Sequence, residues 1–126
     1  MKIEHIALAV NAENESDNFF VGLLGLRKTR SFNVSADLME QFFDVKKEKK
    51  LVLYENDEVS FEVFITDDSS KSEDIFTHVC LVVEDRDEFV NKSLSLGYPT
   101  IKVPRKDGNG YYLFIKDSYG NLYEIK

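Results

Sequence analysis

Two short runs of alternating residues frame this chain. Glu4-His5-Ile6-Ala7-Leu8-Ala9-Val10 and Thr77-His78-Val79-Cys80-Leu81-Val82-Val83 are both of strand length, and each carries one of the chain's two histidines near its start. Side chains of a strand alternate between its faces. His5 therefore shares a face with Ile3, Ala7 and Ala9, opposite Ile6, Leu8 and Val10. His78 shares one with Phe76, Cys80 and Val82, opposite Val79, Leu81 and Val83. One face of each run is aliphatic. The other sets an imidazole beside mostly small side chains, which leaves the room a pocket needs.

The pattern between these runs predicts the other elements. Asn11 to Asp17 is polar and rich in helix-capping residues, and its acids suit the positive end of a helix dipole. Phe19, Phe20, Leu23 and Leu24 recur at helical spacing, and Gly25 ends that helix. Leu26 to Val34 reads as a strand. Ser35 to Phe43 fits a short helix capped by Ser35, with Leu38, Met39, Phe42 and Phe43 on one side, and less well a strand. Leu51 to Glu55 and Val59 to Ile65 are strands around an Asn56-Asp57 turn. Thr66 to Asp74 holds no apolar residue and reads as a linker. The plan then restarts. Phe76 to Val83 is a strand, Glu84 to Leu96 a helix closed by Gly97, and Ile101 to Val103 the start of another strand. Turns at Asp107 to Gly110 and Asp117 to Asn121 bracket the strands Tyr111 to Lys116 and Leu122 to Ile125.

The chain is thus an internal repeat. His5 aligns with His78, Leu24-Gly25-Leu26 with Leu96-Gly97-Tyr98, and Phe61-Glu62-Val63 with Tyr123-Glu124-Ile125. The class is α+β, as two tandem βαβββ modules: module one at 1–65, a linker at 66–75, and module two at 76–126. One module buries only the helix-facing side of its sheet. Two together can curl a cupped mixed sheet around a central cavity, with the helices outside.

Size and composition narrow the options. At 126 residues, 43% hydrophobic and 13% aromatic, the chain is one globular domain's worth. The net charge of −7 argues against nucleic-acid partners, since a phosphate backbone would be repelled. Lys46-Lys47-Glu48-Lys49-Lys50 reads as a solvated turn. Cys80 is the single cysteine, so an intrachain disulfide is excluded. No apolar run is long enough to span a bilayer, and the chain enters a strand pattern directly without a signal-peptide core. A cytoplasmic protein with no membrane partner is the expectation.

The chemistry lies in four residues. Glu62 sits inside the apolar strand Val59 to Ile65, on the face shared by Ser60 and Phe64. Glu124 likewise opposes Tyr123 and Ile125. A carboxylate in an apolar strand is costly unless paired, hydrogen-bonded or metal-bound. A histidine at a strand start or a glutamate on a solvated sheet face can equally be structural. Both histidines and both glutamates, however, fall at equivalent places in the two halves, all on the face away from the helix. His5, Glu62, His78 and Glu124 suit one divalent ion such as Zn, Ni, Mn, Co or Fe(II), with coordination positions left open. Cys80, on the His78 face, reads as a small pocket-lining residue. No phosphate loop, nucleophile elbow, H-E-x-x-H or C-x-x-C motif is present.

At this point the whole chain resembles the vicinal oxygen chelate superfamily, which includes glyoxalase I, fosfomycin-resistance proteins, extradiol dioxygenases and bleomycin-resistance proteins. The resemblance rests on EHIALAV, FFVGLLGL, FTHVCLVV and the closing KDSYGNLYEI. It implies two βαβββ modules around one metal, bound by His5, Glu62, His78 and Glu124. The His/Glu/His/Glu set is similar to that of glyoxalase I, although Ala9 stands where such enzymes place a glutathione-binding arginine. It implies a metal-dependent lyase or isomerase like lactoylglutathione lyase, with an enediolate intermediate and Glu62 or Glu124 as the base. A small-molecule substrate and a homodimer follow from the same resemblance. Tyr112 and Phe114 are candidate pocket residues, and Arg30 and Arg105 candidate anchors for an anionic substrate end. The alternatives are an Fe(II) extradiol-type dioxygenase and a non-catalytic, small-molecule sequestering protein.

Overall fold

The computed structural model describes all residues, Met1–Lys126. The chain forms two compact units, Met1–Ser70 and Lys71–Lys126. The first holds β1 (Ile6–Val10), α1 (Glu13–Ser16, continuing as a π-helix over Asp17–Leu23), β2 (Arg27–Val34), α2 (Ala36–Phe43), β3 (Lys49–Glu55) and β4 (Ser60–Ile65). The second holds β5 (His78–Leu81), α3 (Arg86–Ser95), β6 (Thr100–Pro104), β7 (Tyr111–Lys116) and β8 (Leu122–Ile125). The sheet orders are β1-β4-β3-β2 and β5-β8-β7-β6, so each unit pairs its first strand with its last. That first pairing is parallel, and the others are antiparallel. The fold is α+β, two βαβββ modules, as the repeat implies.

In the first unit, Ser16, Phe19, Phe20 and Leu23 recur at helical spacing and are all buried. The Phe20 ring stacks on Tyr54 at 5.0 Å and meets Phe61 at 5.2 Å. Phe61, Val63 and Ile65 of β4 are buried with Val52 and Tyr54 of β3, on the opposite face from Glu62. This is the core that the alternation along Val59 to Ile65 anticipates. Gly25 ends the helical segment at φ 72°, a left-handed conformation that costs glycine little. The second unit repeats the arrangement. Leu113, Ile115, Tyr123 and Ile125 are buried on one face of its sheet, and α3 buries Phe89, Val90 and Ser93.

Several local expectations change. The first helix starts behind Ala12, which makes no side-chain cap. Asn11 instead ties the segment after β4, its amide donating to Thr66 Oγ1 (3.1 Å), Asp68 Oδ1 (3.3 Å) and the Ser70 carbonyl (2.8 Å). Glu13, expected merely to complement the dipole, accepts from Lys28 Nζ at 2.6 Å and also pairs with Lys50. The basic run around Lys46 is therefore not wholly a solvated turn. Lys49 and Lys50 belong to β3, and Lys49 Nζ donates to the Thr66 carbonyl at 2.7 Å. β5 is shorter than its apolar run, and Phe76 and Val82 flanking it are 82% and 84% exposed.

Candidate functional site

The two units repeat the same histidine–glutamate pairing. In the first, β1 and β4 run parallel with Ala7 opposite Glu62 and Ala9 opposite Phe64. His5 lies two residues before Ala7, immediately ahead of the ladder. In the second, Cys80 stands opposite Glu124, and His78 lies two residues before Cys80. The pleat thus places each histidine and its glutamate on one face, one pleat apart. Small residues, Ala7 and Cys80, occupy the position between them.

His5 Nε2 lies 3.4 Å from Glu62 Oε2, and His78 Nε2 lies 3.6 Å from Glu124 Oε2. Both separations exceed a good hydrogen bond. Two ligand atoms on one ion, at bond lengths near 2.1 Å and angles between square and tetrahedral, lie about 3.0–3.5 Å apart. The first pair falls in that range and the second just outside it. His78 Nδ1 is 2.9 Å from the carbonyl of Phe76. An N–H donated there fixes the tautomer and leaves the Nε2 lone pair free, as metal-bound histidines require. All four side chains are partly accessible, from 16% for Glu124 to 38% for His5. The structure gathers no group of three or more histidine, cysteine, aspartate or glutamate side chains arranged to hold a metal ion. Each unit therefore supplies a pair of donors that suits a divalent ion, not a complete cage.

The other candidate residues divide. Phe114 pairs with Glu124 across the sheet and sets its ring 5.7 Å from that of His78, edge to face. Tyr112 lies on the same face, and its ring carries the Arg105 guanidinium at 4.4 Å. Arg30 stands in one row with Leu53 and Glu62, its guanidinium 4.5 Å from the Phe32 ring. Both arginines thus lie over aromatic rings. The Cys80 thiol is pushed up, first by burial and then by the negative charge of Glu124. It is correspondingly less thiolate, and poor as a nucleophile.

The residues beside Glu62 that the sequence left unassigned belong to α2. Ser35 caps this helix, its hydroxyl accepting from Leu38 N at 3.3 Å. Of the four apolar residues expected on one side of it only Met39 is buried, whereas Leu38, Phe42 and Phe43 are 42%, 64% and 53% exposed. Burying such side chains fully is worth about 1.5–3 kcal/mol each, so their exposure is unusual. They border a cleft of about 310 Å³ with Phe32, Leu51 and Phe64, and Glu62 is its single charged lining residue. The helical spacing of these residues was legible. That the helix lies on the Glu62 side of the sheet was not.

Each βαβββ module thus sets a histidine at or just before the start of its first strand beside a glutamate on its last. A sequence model described as the Glyoxalase/Bleomycin resistance protein/Dioxygenase superfamily matches residues 4–114. The chain belongs to that superfamily. Among solved structures it is similar to a glyoxalase family protein from Enterococcus faecalis, with TM-score 0.74, 18% identity, and 98% of this chain and 95% of that one covered. It is also similar to the fosfomycin resistance protein FosX of Listeria monocytogenes (TM-score 0.73, 19% identity, 98% and 91% covered). FosX of Mesorhizobium loti has TM-score 0.68 at 13% identity, with 98% and 89% covered. No curated protein sequence matches. At these identities the likeness establishes the fold.

Proposed function

We propose that the chain is a metal-dependent lyase or isomerase of the glyoxalase type. His5, Glu62, His78 and Glu124 hold one divalent ion: Zn, Ni, Mn, Co or Fe(II). The observation that supports this reading is the pair of equivalent His–Glu contacts, one in each module, at 3.4 and 3.6 Å. FosX of Listeria monocytogenes has been solved with Mn(II) and a dihydroxypropylphosphonic acid, which makes manganese one of the metals to test.

These four residues would hold the ion, which would supply a Lewis acid for two neighbouring oxygens of the substrate. The two histidines are fixed donors, with His78 held by Phe76. Glu62 or Glu124 is the base that takes the proton from the carbon beside the substrate's two oxygens. Phe114 and Tyr112 line the second unit's side of the site, and Arg30 and Arg105 bind an anionic substrate end. Glutathione is not favoured as the thiol. Ala9 brings no cation to its position, and its cross-strand neighbour is Phe64. The enzyme acts on a small molecule in the cytoplasm as a homodimer, an assembly state that sedimentation equilibrium measures.

The test is metal analysis of untagged protein after loading, repeated on Glu62→Gln. Near-stoichiometric Ni, Zn, Mn or Co in the wild type, and solvent-deuterium exchange at an α-hydroxycarbonyl substrate lost in the variant, support the lyase. Iron with oxygen uptake on catechols supports a dioxygenase instead. No bound metal under any loading condition overturns the proposal.

A further inference from the structure

The cleft beneath α2 has a feature that folding does not explain. Unit one inserts a helix between β2 and β3, whereas the corresponding β6–β7 connection in unit two is a turn without a helix. The repeat is broken at the Glu62 face. The inserted helix leaves Leu38, Phe42 and Phe43 largely exposed. Phe43 meets Phe42 at 6.0 Å and Phe64 at 5.3 Å, both edge to face, so the aromatic wall runs from the helix onto the strand that carries Glu62. Opposite stands Phe32, backed by the Arg30 guanidinium. The space enclosed, about 310 Å³, is at the lower end of small-ligand pockets. Its lining is apolar apart from Asn33 and Glu62.

We infer that this cleft holds the carbon-rich end of the substrate, so that the chain acts on compounds carrying an aromatic or branched aliphatic group and not on small, fully polar ones. The inference rests on the metal-dependent reading for one point, that the reacting oxygens of the same molecule sit at Glu62. A group in the cleft extends from that carboxylate along Phe64 toward Phe43 and Phe42. Leu38 and Phe42 hold it without being needed for the core.

The test separates the two readings. Metal-free, isotope-labelled full-length protein is titrated with phenylbutanol and followed by amide chemical shifts. Saturable shifts at Leu38, Phe42, Phe43 and Phe64 are expected, and are lost in Leu38→Ser/Phe42→Ser. Both substitutions replace exposed side chains, and the unchanged remainder of the spectrum reports that the variant is folded. Metal-loaded protein is then compared with acetohydroxamate and phenylbutyrohydroxamate, which chelate identically. The aromatic chelator is expected to bind at least about tenfold more tightly, about 1.4 kcal/mol, and the double variant to abolish that gain while leaving acetohydroxamate unaffected. No saturable phenylbutanol binding, or equal affinity for the two hydroxamates, overturns the apolar subsite. Retained phenylbutanol binding in a protein that takes up no metal overturns the proposed enzyme, and with it the cleft's role in that reaction, while the apolar site stands.

Discussion

Asp117 illustrates how one buried side chain sets local structure. It accepts from the backbone N–H groups of Tyr119 (3.1 Å), Gly120 (3.0 Å) and Asn121 (2.9 Å), from the Asn121 amide (2.8 Å) and from the Tyr123 hydroxyl (3.1 Å). These bonds shape the turn that delivers Glu124. Asp117→Ala leaves several buried donors unpaired, and a loss of about 2–3 kcal/mol in urea unfolding is expected. Burial nonetheless pushes the Asp117 carboxyl above its ordinary value, against the opposing effect of those donors. A raised folded value means stability that is full at low pH and lost as pH rises through it. The stability of wild type relative to Asp117→Asn should therefore fall as pH rises above about 4, the ordinary carboxylate value, measured by urea midpoints. Glu13 behaves oppositely. Lys28 and then Lys50 hold it below its ordinary value, so its contribution is present above that value and fades on acidification. At the same scale, alternation alone placed Glu62 and Glu124 on the non-core face. Their distances to the histidines depend on strand pairing, which links residues far apart in sequence.

Among the elements, the helices differ in how far the local pattern specifies them. In α3 the side chain of Asp85 accepts from Glu88 N at 2.9 Å, and Asp85→Ala is expected to lower the unfolding free energy by about 1 kcal/mol. At Gly25 nothing lies within 4 Å of an added Cβ, so the cost of Gly25→Ala is backbone strain alone, about 1–2 kcal/mol by denaturant titration. The first helix departs from expectation in its winding. Leu24 N bonds Phe19 O and Leu26 N bonds Phe20 O, wider closures than an α-helix makes. Periodicity identified its buried Phe19, Phe20 and Leu23, because widening the turn moves side chains only modestly around the axis. For α2, the helical spacing set Leu38, Met39, Phe42 and Phe43 on one side, an apolar face that a core would bury. Only Met39 satisfies it, since the strand face next to the helix carries Glu62 and Phe64, not the sheet's main apolar layer.

For the whole molecule the duplicated module is the dominant fact, and its prediction concerns both halves at once. If one ion is shared, His5→Ala and His78→Ala each weaken divalent-metal affinity by at least about tenfold, the lower bound for losing even a supporting partner. Equilibrium dialysis checks this. An effect confined to one module's histidine would contradict a shared ion. The net charge of −7 would repel a phosphate backbone and so speaks against nucleic acid.

By itself the amino-acid sequence determined the repeat, the α+β class, the strand faces and the four candidate ligands. The class and the strand faces follow from short-range periodicity, which a chain cannot hide because side chains must alternate or spiral with their backbone, and the repeat and the four candidates follow from matching the two halves. The tertiary structure alone decided that His5 meets Glu62 and His78 meets Glu124, that Asn11 and Asp117 organise loops, and that α2 borders Glu62. Those outcomes depend on which strands pair and on which side a helix returns. Both are set by contacts between segments distant along the chain, and no local pattern encodes them.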